Sequence, residues 1–329
     1  MRHRLQFTAK KLLRMGLLLL GVSIVTFLLM NASPLDPLQT NVGQAALGTM
    51  SQEQVERLEA YWGMDTPPLE RYAEWLKGLL CGDMGTSLLY RQPVAAVIWQ
   101  RLSSSLLLLL SAWIISGVLG LLLGVAAGVW RGRRPDKLIR GWCLLISSTP
   151  AFWLAILLLL VFSVWLGWLP AGLSVPIGME SSLVTAGDRL QHAILPAVTL
   201  SITGVSNIAL HTREKMVDVM ESDYVLFARA RGESMSSIVW RHGLRGVSLP
   251  AITLQFGSVS EIIGGSVLVE QVFSYPGLGQ AAVTAGLGSD LPLLMGITLI
   301  TSAIVFGGNL AADLLYGAVD PKIRRRAAK

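Results

Sequence analysis

Charge is scarce in this 329-residue sequence. Asp, Glu, Lys and Arg make up 15% of it, apolar residues 52%, and the mean hydropathy is +0.56. A soluble domain carries about 25% charged residues, so the composition points away from one. Cysteine is scarcer still, with Cys81 and Cys143 alone. In the topology derived below they lie on opposite sides of a bilayer and cannot bridge, so no disulfide framework exists. The four histidines (His3, His192, His211 and His242) are scattered with no second ligand at i+4, which leaves no metal-ligand cluster. The pattern G-x-x-x-x-G-K-[ST] is missing, as is any Gly-Lys pair, so the chain has no P-loop for a nucleotide.

Long apolar runs are what the sequence does have. About 20 such residues cover the hydrocarbon core of a bilayer. Six spans are predicted, at 12–30, 103–129, 141–168, 192–211, 247–269 and 291–316, giving an all-α polytopic membrane protein. The fourth is the least hydrophobic, but the orientation of its neighbours requires it to cross. The first is longer than a signal-peptide apolar region, and removing it would leave an odd number of spans, so it is read as retained.

Basic residues orient the spans. Residues 1–14, 131–140, 212–246 and the tail after Asp320 hold 21 of the 27 Lys and Arg. Six helices with both termini cytoplasmic put all four segments on that side and make 31–102, 169–191 and 270–290 external. The net charge of +6 then reflects topology, and nucleic-acid binding is not needed to explain it. The chain divides into a cytoplasmic N-terminus and first span (1–30), an external helical loop (31–102), and a five-helix core (103–329) with a cytoplasmic loop at about 212–246.

The loop 31–102 carries its own helix signals. Ser51 with Gln54 three residues on is a capping-box pattern, and Val55, Leu58 and Trp62 form a stripe that Gly63 stops. After Pro67-Pro68, a second helix is predicted to place Leu69, Tyr72, Ala73, Leu76 and Leu80 on one face. A packed lid and a docking platform fit these two helices equally.

Within the spans, Gly117, Gly120, Gly124 and Gly128 share one side at a spacing that allows close helix approach. Pro196 and the pair Gly264–Gly265 mark expected bends. Ionisable groups at membrane depth are few: Glu261 in mid-span, His211 and Asp313 towards the inner end, and Glu270 towards the outer end. A mid-membrane charge costs about 2.5–3.5 kcal/mol, so Glu261 needs a partner or a wet cavity. A helix-interface Glu and a Glu bordering a translocation path both satisfy that demand.

The stretch SDYVLFARARGESMSSIVWRHGLRGVSLP, residues 222–250, stands apart. It is basic, with apolar residues at helical spacing. Tyr224, Phe227 and Ala228 are predicted on one face before Gly232, and Met235, Ile238, Val239 and His242 on another after it, with Ser234 as a cap. A helix–turn–helix knob offered to a partner fits this pattern, and so does an amphipathic helix on anionic lipid.

At this point the sequence resembles a known family. Ala228-x-Ala230-x-Gly232, followed by His242-x-Leu244-Arg245, is similar to the EAA loop of binding-protein-dependent ABC importer permeases in their peptide and nickel branch. GDMGTSLLYRQPV (82–94), SSTPAFWLAILL (147–158), HAILPAVTLS (192–201), VEQVFSYPGLGQ (269–280) and VDPKIR (319–324) resemble further motifs of that branch, in order. The loop departs from the broader pattern where Leu226-Phe227-Ala228 replaces Glu-Ala-Ala and Leu244-Arg245 replaces Leu-Pro.

The resemblance implies a type I ABC importer permease in a bacterial inner membrane. It implies a second permease subunit, two ATPase subunits that use ATP and Mg, and an external substrate-binding protein, with no cofactor on this chain. It assigns Tyr224, Phe227, Ala228, Arg229, Ala230, Arg231, Gly232, Glu233 and Met235 to a coupling loop. Glu261, Gly264 and Gly265 become candidates for the translocation path, and Glu270, Phe273, Pro276, Gly277 and Gly279 an outer signature. Peptides and nickel complexes are the implied cargo. A stand-alone channel or secondary transporter is the alternative, but no charge relay or inverted repeat supports it.

Overall fold

A computed structural model of the chain describes residues 2–176, 178 and 183–319, with side chains placed within 11–313. The basic tail after Asp320, and all of the 319–324 motif but its first residue, lie outside the described residues. So do the side chains of Arg2, Arg4 and Lys10. The regular elements among the described residues are helices, beside one isolated bridge between Thr86 and Pro93.

In chain order the helices are α1 (Arg2–Asn31), α2 (Pro37–Val42), α3 (Gln44–Leu47), α4 (Gln52–Tyr61), α5 (Pro68–Leu80), α6 (Val94–Val129) and α7 (Arg134–Ser147). Next come α8 (Ala151–Leu159), extended by a π turn at Leu160–Trp165, then α9 (Ala186–Met220), α10 (Asp223–Ala230) and α11 (Met235–Ile238). A second π turn at Val239–Gly243 leads into α12 (Leu244–Gly257), followed by α13 (Val259–Val272), α14 (Leu278–Leu287) and α15 (Leu291–Val319). Among the described residues four helices are long and apolar enough to cross a membrane: Lys11–Asn31 within α1, then α6, α9 and Leu291–Asp313 within α15. Two bent pairs, Arg134–Ser147 with Ala151–Trp165 (105°) and Met235–Gly257 with Val259–Val272 (47°), bring the count to six if each is one span.

The chain forms two compact units, Met1–Ser105 with Pro276–Phe306 and Leu106–Tyr275 with Gly307–Lys329. In the second, α9 is the central helix. An ideal Cβ built on Gly120 would lie 2.7 Å from Ile208 Cβ, one on Gly124 2.5 Å from Thr212 Cβ, and one on Gly128 2.5 Å from Met216 Cβ. The glycine stripe therefore packs on α9, and the register rises in both helices together, so α6 and α9 run parallel. A chain that leaves α6 must then recross before entering α9. The α7–α8 pair is the recrossing, a broken span and not a re-entrant loop. Asp136 near its start pairs with Arg213 of α9, while fully buried Ala155 further on shares a core cluster with Ala193, Ala197 and Leu200.

The break in this pair follows from SSTP. Pro150 cannot continue α7, and the hydroxyls of Ser147, Ser148 and Thr149 donate to the carbonyls of Cys143, Leu144 and Leu145. These bonds add to the backbone ones at the helix end, where the Ser148 amide also donates to the Leu144 carbonyl at 3.2 Å. The fifth span breaks at Gly257–Ser258, where the Ser258 hydroxyl donates to the Gln255 carbonyl at 2.8 Å. That corrects the expected bend at Gly264–Gly265, which lie inside α13, with Gly265 close to Leu200. The helix α9 continues through Pro196.

In the first unit, α4 has the predicted capping box, and Trp62 is buried at the end of its stripe. The face of α5 is different from the expected one. Leu69 and Leu80 are 81% and 82% exposed and Ala73 is exposed, while Tyr72, Trp75, Leu76 and Leu79 turn inward. Aromatic packing decides the register: Phe27 of α1 lies 5.1 Å from Tyr72, whose hydroxyl shares a hydrogen bond with Ser23. The second span also begins earlier than expected. Val94, Val97 and Ile98 form a helical stripe packed with Leu278, Ala281, Leu293 and Ile297, so α6 starts at Val94 and not at 103.

Candidate functional site

Three places gather the residues singled out by the sequence. The first is the connector 221–243 between α9 and α12. Val225 and Ala228 of α10 are fully buried against Ile238 of α11, beside Val219 and Met220, and this small core holds the two short helices as a hairpin. The expected face of Tyr224, Phe227 and Ala228 therefore divides. Ala228 turns in, while Phe227 is 70% exposed, Leu226 65% and Tyr224 49%. Alanine fits the narrow space under the hairpin, and the bulky residues are left outside.

Gly232 forms the turn at φ +80°, and a Cβ there would meet nothing within 4 Å. Ser234 caps α11 by accepting from the Ser237 amide. Glu233 braces the turn from within: its amide donates to the Ala228 carbonyl, its Oε1 accepts from Arg231, and its Oε2 lies 3.5 Å from His242 Nε2. Arg229, Ala230, Arg231 and Met235 are exposed. The hairpin thus offers an apolar patch, Tyr224–Leu226–Phe227, beside basic residues on a rigid turn.

The second place is the start of α13. Glu261 lies in its first turn, three residues past the break, and is exposed together with Gly257, Ser260 and Gly264. These positions recur at helical spacing and make one polar, small-residue face, from which the partly covered Gly265 turns away. Just before the break, Trp113 Nε1 donates to the Gln255 carbonyl at 2.8 Å, and Gln255 Nε2 donates back to the Trp113 carbonyl. Gly117 leaves room for that amide. A lone Gln and a lone Trp in separate apolar runs give no pairing signal.

The third place is the 269–280 segment, which divides between the units after Tyr275. On one side Glu270, Phe273 and Tyr275 are buried, at 0%, 1% and 1% exposure. The Phe273 carbonyl accepts from the Leu173 amide at 2.9 Å, and Gly172 lies so close that a Cβ would come within 2.2 Å of that oxygen. His192 Nδ1 bonds the Gly172 carbonyl, which fixes the turn. Burial pushes the Tyr275 hydroxyl up to about 12, with the Glu270 charge adding to the shift. On the other side Gly277 and Gly279 are buried at the start of α14, and Pro276 is half-buried. In the first unit the 82–94 motif is tied down by Asp290. This fully buried carboxylate accepts from Ser87 Oγ at 2.6 Å and from the Leu89 and Leu293 amides at 3.0 and 3.2 Å. Its readable signal was an Asp opening an apolar run, the mark of a helix cap.

Among the described residues no group of three His, Cys, Asp or Glu could hold a metal ion. What the three places offer are surfaces, a break and a polar helix face.

Comparison with known proteins fits this inventory. The family model described as "Binding-protein-dependent transport system inner membrane component" matches residues 120–325, and a model for the N-terminal part of such components matches 4–108. The chain is 36% identical over 311 residues to the oligopeptide transport system permease protein AppB of Bacillus subtilis, covering 93% of this chain and 95% of that one. It is 38% identical over 306 residues to a putative peptide transport system permease protein of Brucella abortus, covering 93% and 95%. The glutathione transport system permease protein GsiC of Salmonella typhimurium is 36% identical over 325 residues, covering 97% and 99%.

Proposed function

The chain belongs to the family of inner-membrane components of binding-protein-dependent transport systems, the permease subunits of ATP-driven importers, and we propose that its cargo is a di- or oligopeptide. The observation that carries this reading is end-to-end similarity to relatives whose names specify oligopeptide, peptide or glutathione transport. Nickel complexes, which the sequence motifs also allowed, have no such support.

The working assembly is this permease with a second permease subunit, two ATPase subunits and an external binding protein. ATP and Mg are used by the ATPases, and this chain binds no cofactor. Both termini and the connector 221–243 face the cytoplasm, because most Lys and Arg fall in the segments on that side. The α10–α11 hairpin is then the coupling element. Its exposed Tyr224, Leu226 and Phe227 supply apolar contact area and its buried core makes it move as one piece.

Closure of the ATPases displaces the hairpin, α12 follows through the π turn, and α13 responds at the Gly257–Ser258 break. Glu261 and Gly264 on the exposed face of α13 border the path, with Gly265 behind them. A polar face at membrane depth is costly against lipid and tolerable against water or cargo.

Two measurements test the reading. Mass spectrometry of the ligand retained by the partner binding protein should identify a peptide, and ATP-driven uptake of that peptide should require this chain. A metal complex in the binding protein would overturn the peptide reading. Native Cys81, exposed in the 31–93 segment, should react with a membrane-impermeant maleimide in intact spheroplasts. A cysteine at Met235 should react only after permeabilisation, and the reverse result would invert the orientation.

A further inference from the structure

We propose that the cavity between the end of α6 and the α10–α11 hairpin binds the phosphate of an anionic phospholipid. The cavity has a volume of about 550 Å³ and is lined by Trp130, Arg131, Arg133, Val217, Met220, Glu221, Arg229 and Met235, among others. Arg131 is occupied by its ion pair with Glu221. Among the described residues Arg133 and Arg229 make no ion pair, so two guanidinium charges line the cavity uncompensated. Trp130, Val217, Met220 and Met235 set apolar side chains beside the charged ones. A phosphate carried on an apolar tail can meet both kinds of side chain, whereas a free anion meets only the basic ones.

Depth in the membrane supports the same ligand. The stretch of α6 from Leu106 to Val129 carries no charged residue and gives way at once to Trp130 and Arg131. Trp130 is 45% exposed, and an exposed Trp at the end of an apolar run sits at headgroup level. Basic pockets at that level select anionic headgroups, and a guanidinium binds phosphate oxygens through two parallel N–H donors. Arg133 follows α6 whereas Arg229 belongs to α10, so one phosphate held by both would tie the hairpin to the end of α6.

The test uses the full chain purified from bilayers of phosphatidylcholine, with or without phosphatidylglycerol, and native mass spectrometry to count retained lipid. Wild type should keep phosphatidylglycerol in preference to phosphatidylcholine. The Arg133→Gln/Arg229→Gln variant should retain about twenty-five-fold less, the product of roughly fivefold for each basic residue at the surface. Arg133→Lys/Arg229→Lys should recover part of the loss, because charge remains while the bidentate fork does not. Arg57→Gln, at an exposed pair in α4, controls for general charge effects, and an unchanged melting temperature of the variants shows that they fold.

Equal retention by wild type and the double Gln variant overturns the proposal, as does equal retention of the two lipids. Displacement of phosphatidylglycerol by inorganic phosphate would make a free anion the ligand and also overturn it. If wild type holds no lipid and Arg229→Gln loses its ATPase subunits in phosphatidylcholine alone, a protein partner fills the cavity instead. The lipid count needs no ATP, so its failure is distinct from failure of the importer reading.

Discussion

Asp136 and Arg213 meet through two hydrogen bonds, Nε to Oδ1 at 2.5 Å and Nη2 to Oδ2 at 2.9 Å, joining the first turn of α7 to α9. The Asp136 side chain is 3% exposed and that of Arg213 15%, and Oδ2 also accepts from the Gly132 amide at 2.7 Å. The pair therefore fixes where the chain turns back after α6. Removing one member leaves the other charge buried alone, which costs about 3–5 kcal/mol. Asp136→Ala should show that loss in denaturant-induced unfolding. Asp136→Ala/Arg213→Ala should be less destabilised than the sum of the single variants. Strict additivity would mean that the pair contributes nothing beyond its separate parts.

Gly124 is the tightest point of the α6–α9 contact. A Cβ would sit 2.5 Å from Thr212 Cβ and 2.6 Å from the Ala209 carbonyl oxygen, and neither α9 backbone nor a β-branched stem yields easily. Gly124→Ala should cost about 1–3 kcal/mol from overpacking. Gly21→Ala in α1, where nothing lies within 4 Å, should be neutral or stabilising by helix propensity. Melting temperatures of the two purified variants give the comparison, and a neutral Gly124→Ala would contradict the packing described.

Gly232 poses a different constraint. Its surroundings are open and only its φ of +80° penalises a side chain, by about 1–2 kcal/mol for most residues and less for Asn. Gly232→Leu should insert normally yet lose ATPase-subunit retention or coupled uptake. Gly232→Asn separates the two causes. If it folds and couples like wild type, backbone conformation is what matters; if it folds and fails, the partner surface approaches too closely for any Cβ. Wild-type coupling in both variants would remove the connector from the coupling role.

Glu261→Gln keeps size and hydrogen-bonding capacity and removes the charge from the exposed face of α13. The expected result is normal assembly with at least a severalfold change in the rate or substrate dependence of ATP-driven uptake. Unchanged uptake at every substrate concentration would leave Glu261 as an interface residue with no part in the path.

Much of the architecture was legible without coordinates because bilayers impose length. Runs of apolar residues marked the four long apolar helices and the two bent pairs, and Ser51 with Gln54 announced α4. The glycine stripe announced a close helix contact, and Gly232 announced a turn. Each signal is local or periodic, carried by one segment that must satisfy its own backbone and its own solvent.

Pairing carries no such signal. Which helix receives the glycines, that Asp136 finds Arg213, that Gln255 latches Trp113 and that Asp290 holds Ser87 are relations between segments 77 to 203 residues apart. The α5 register was misread because two overlapping apolar stripes exist on one helix, and only contact with Phe27 and Ser23 of α1 selects between them. The fifth span bends at Gly257–Ser258 because a Ser hydroxyl there can take over a freed carbonyl. Gly264–Gly265, more flexible in isolation, lies within the continuous helix α13, where Gly265 packs near Leu200. Sequence by itself determined that this chain carries membrane-spanning helices and where a basic hairpin falls between them. Only the tertiary structure decided which side chains that hairpin exposes, because burial of Val225 and Ala228 is a choice made by the neighbours that cover them.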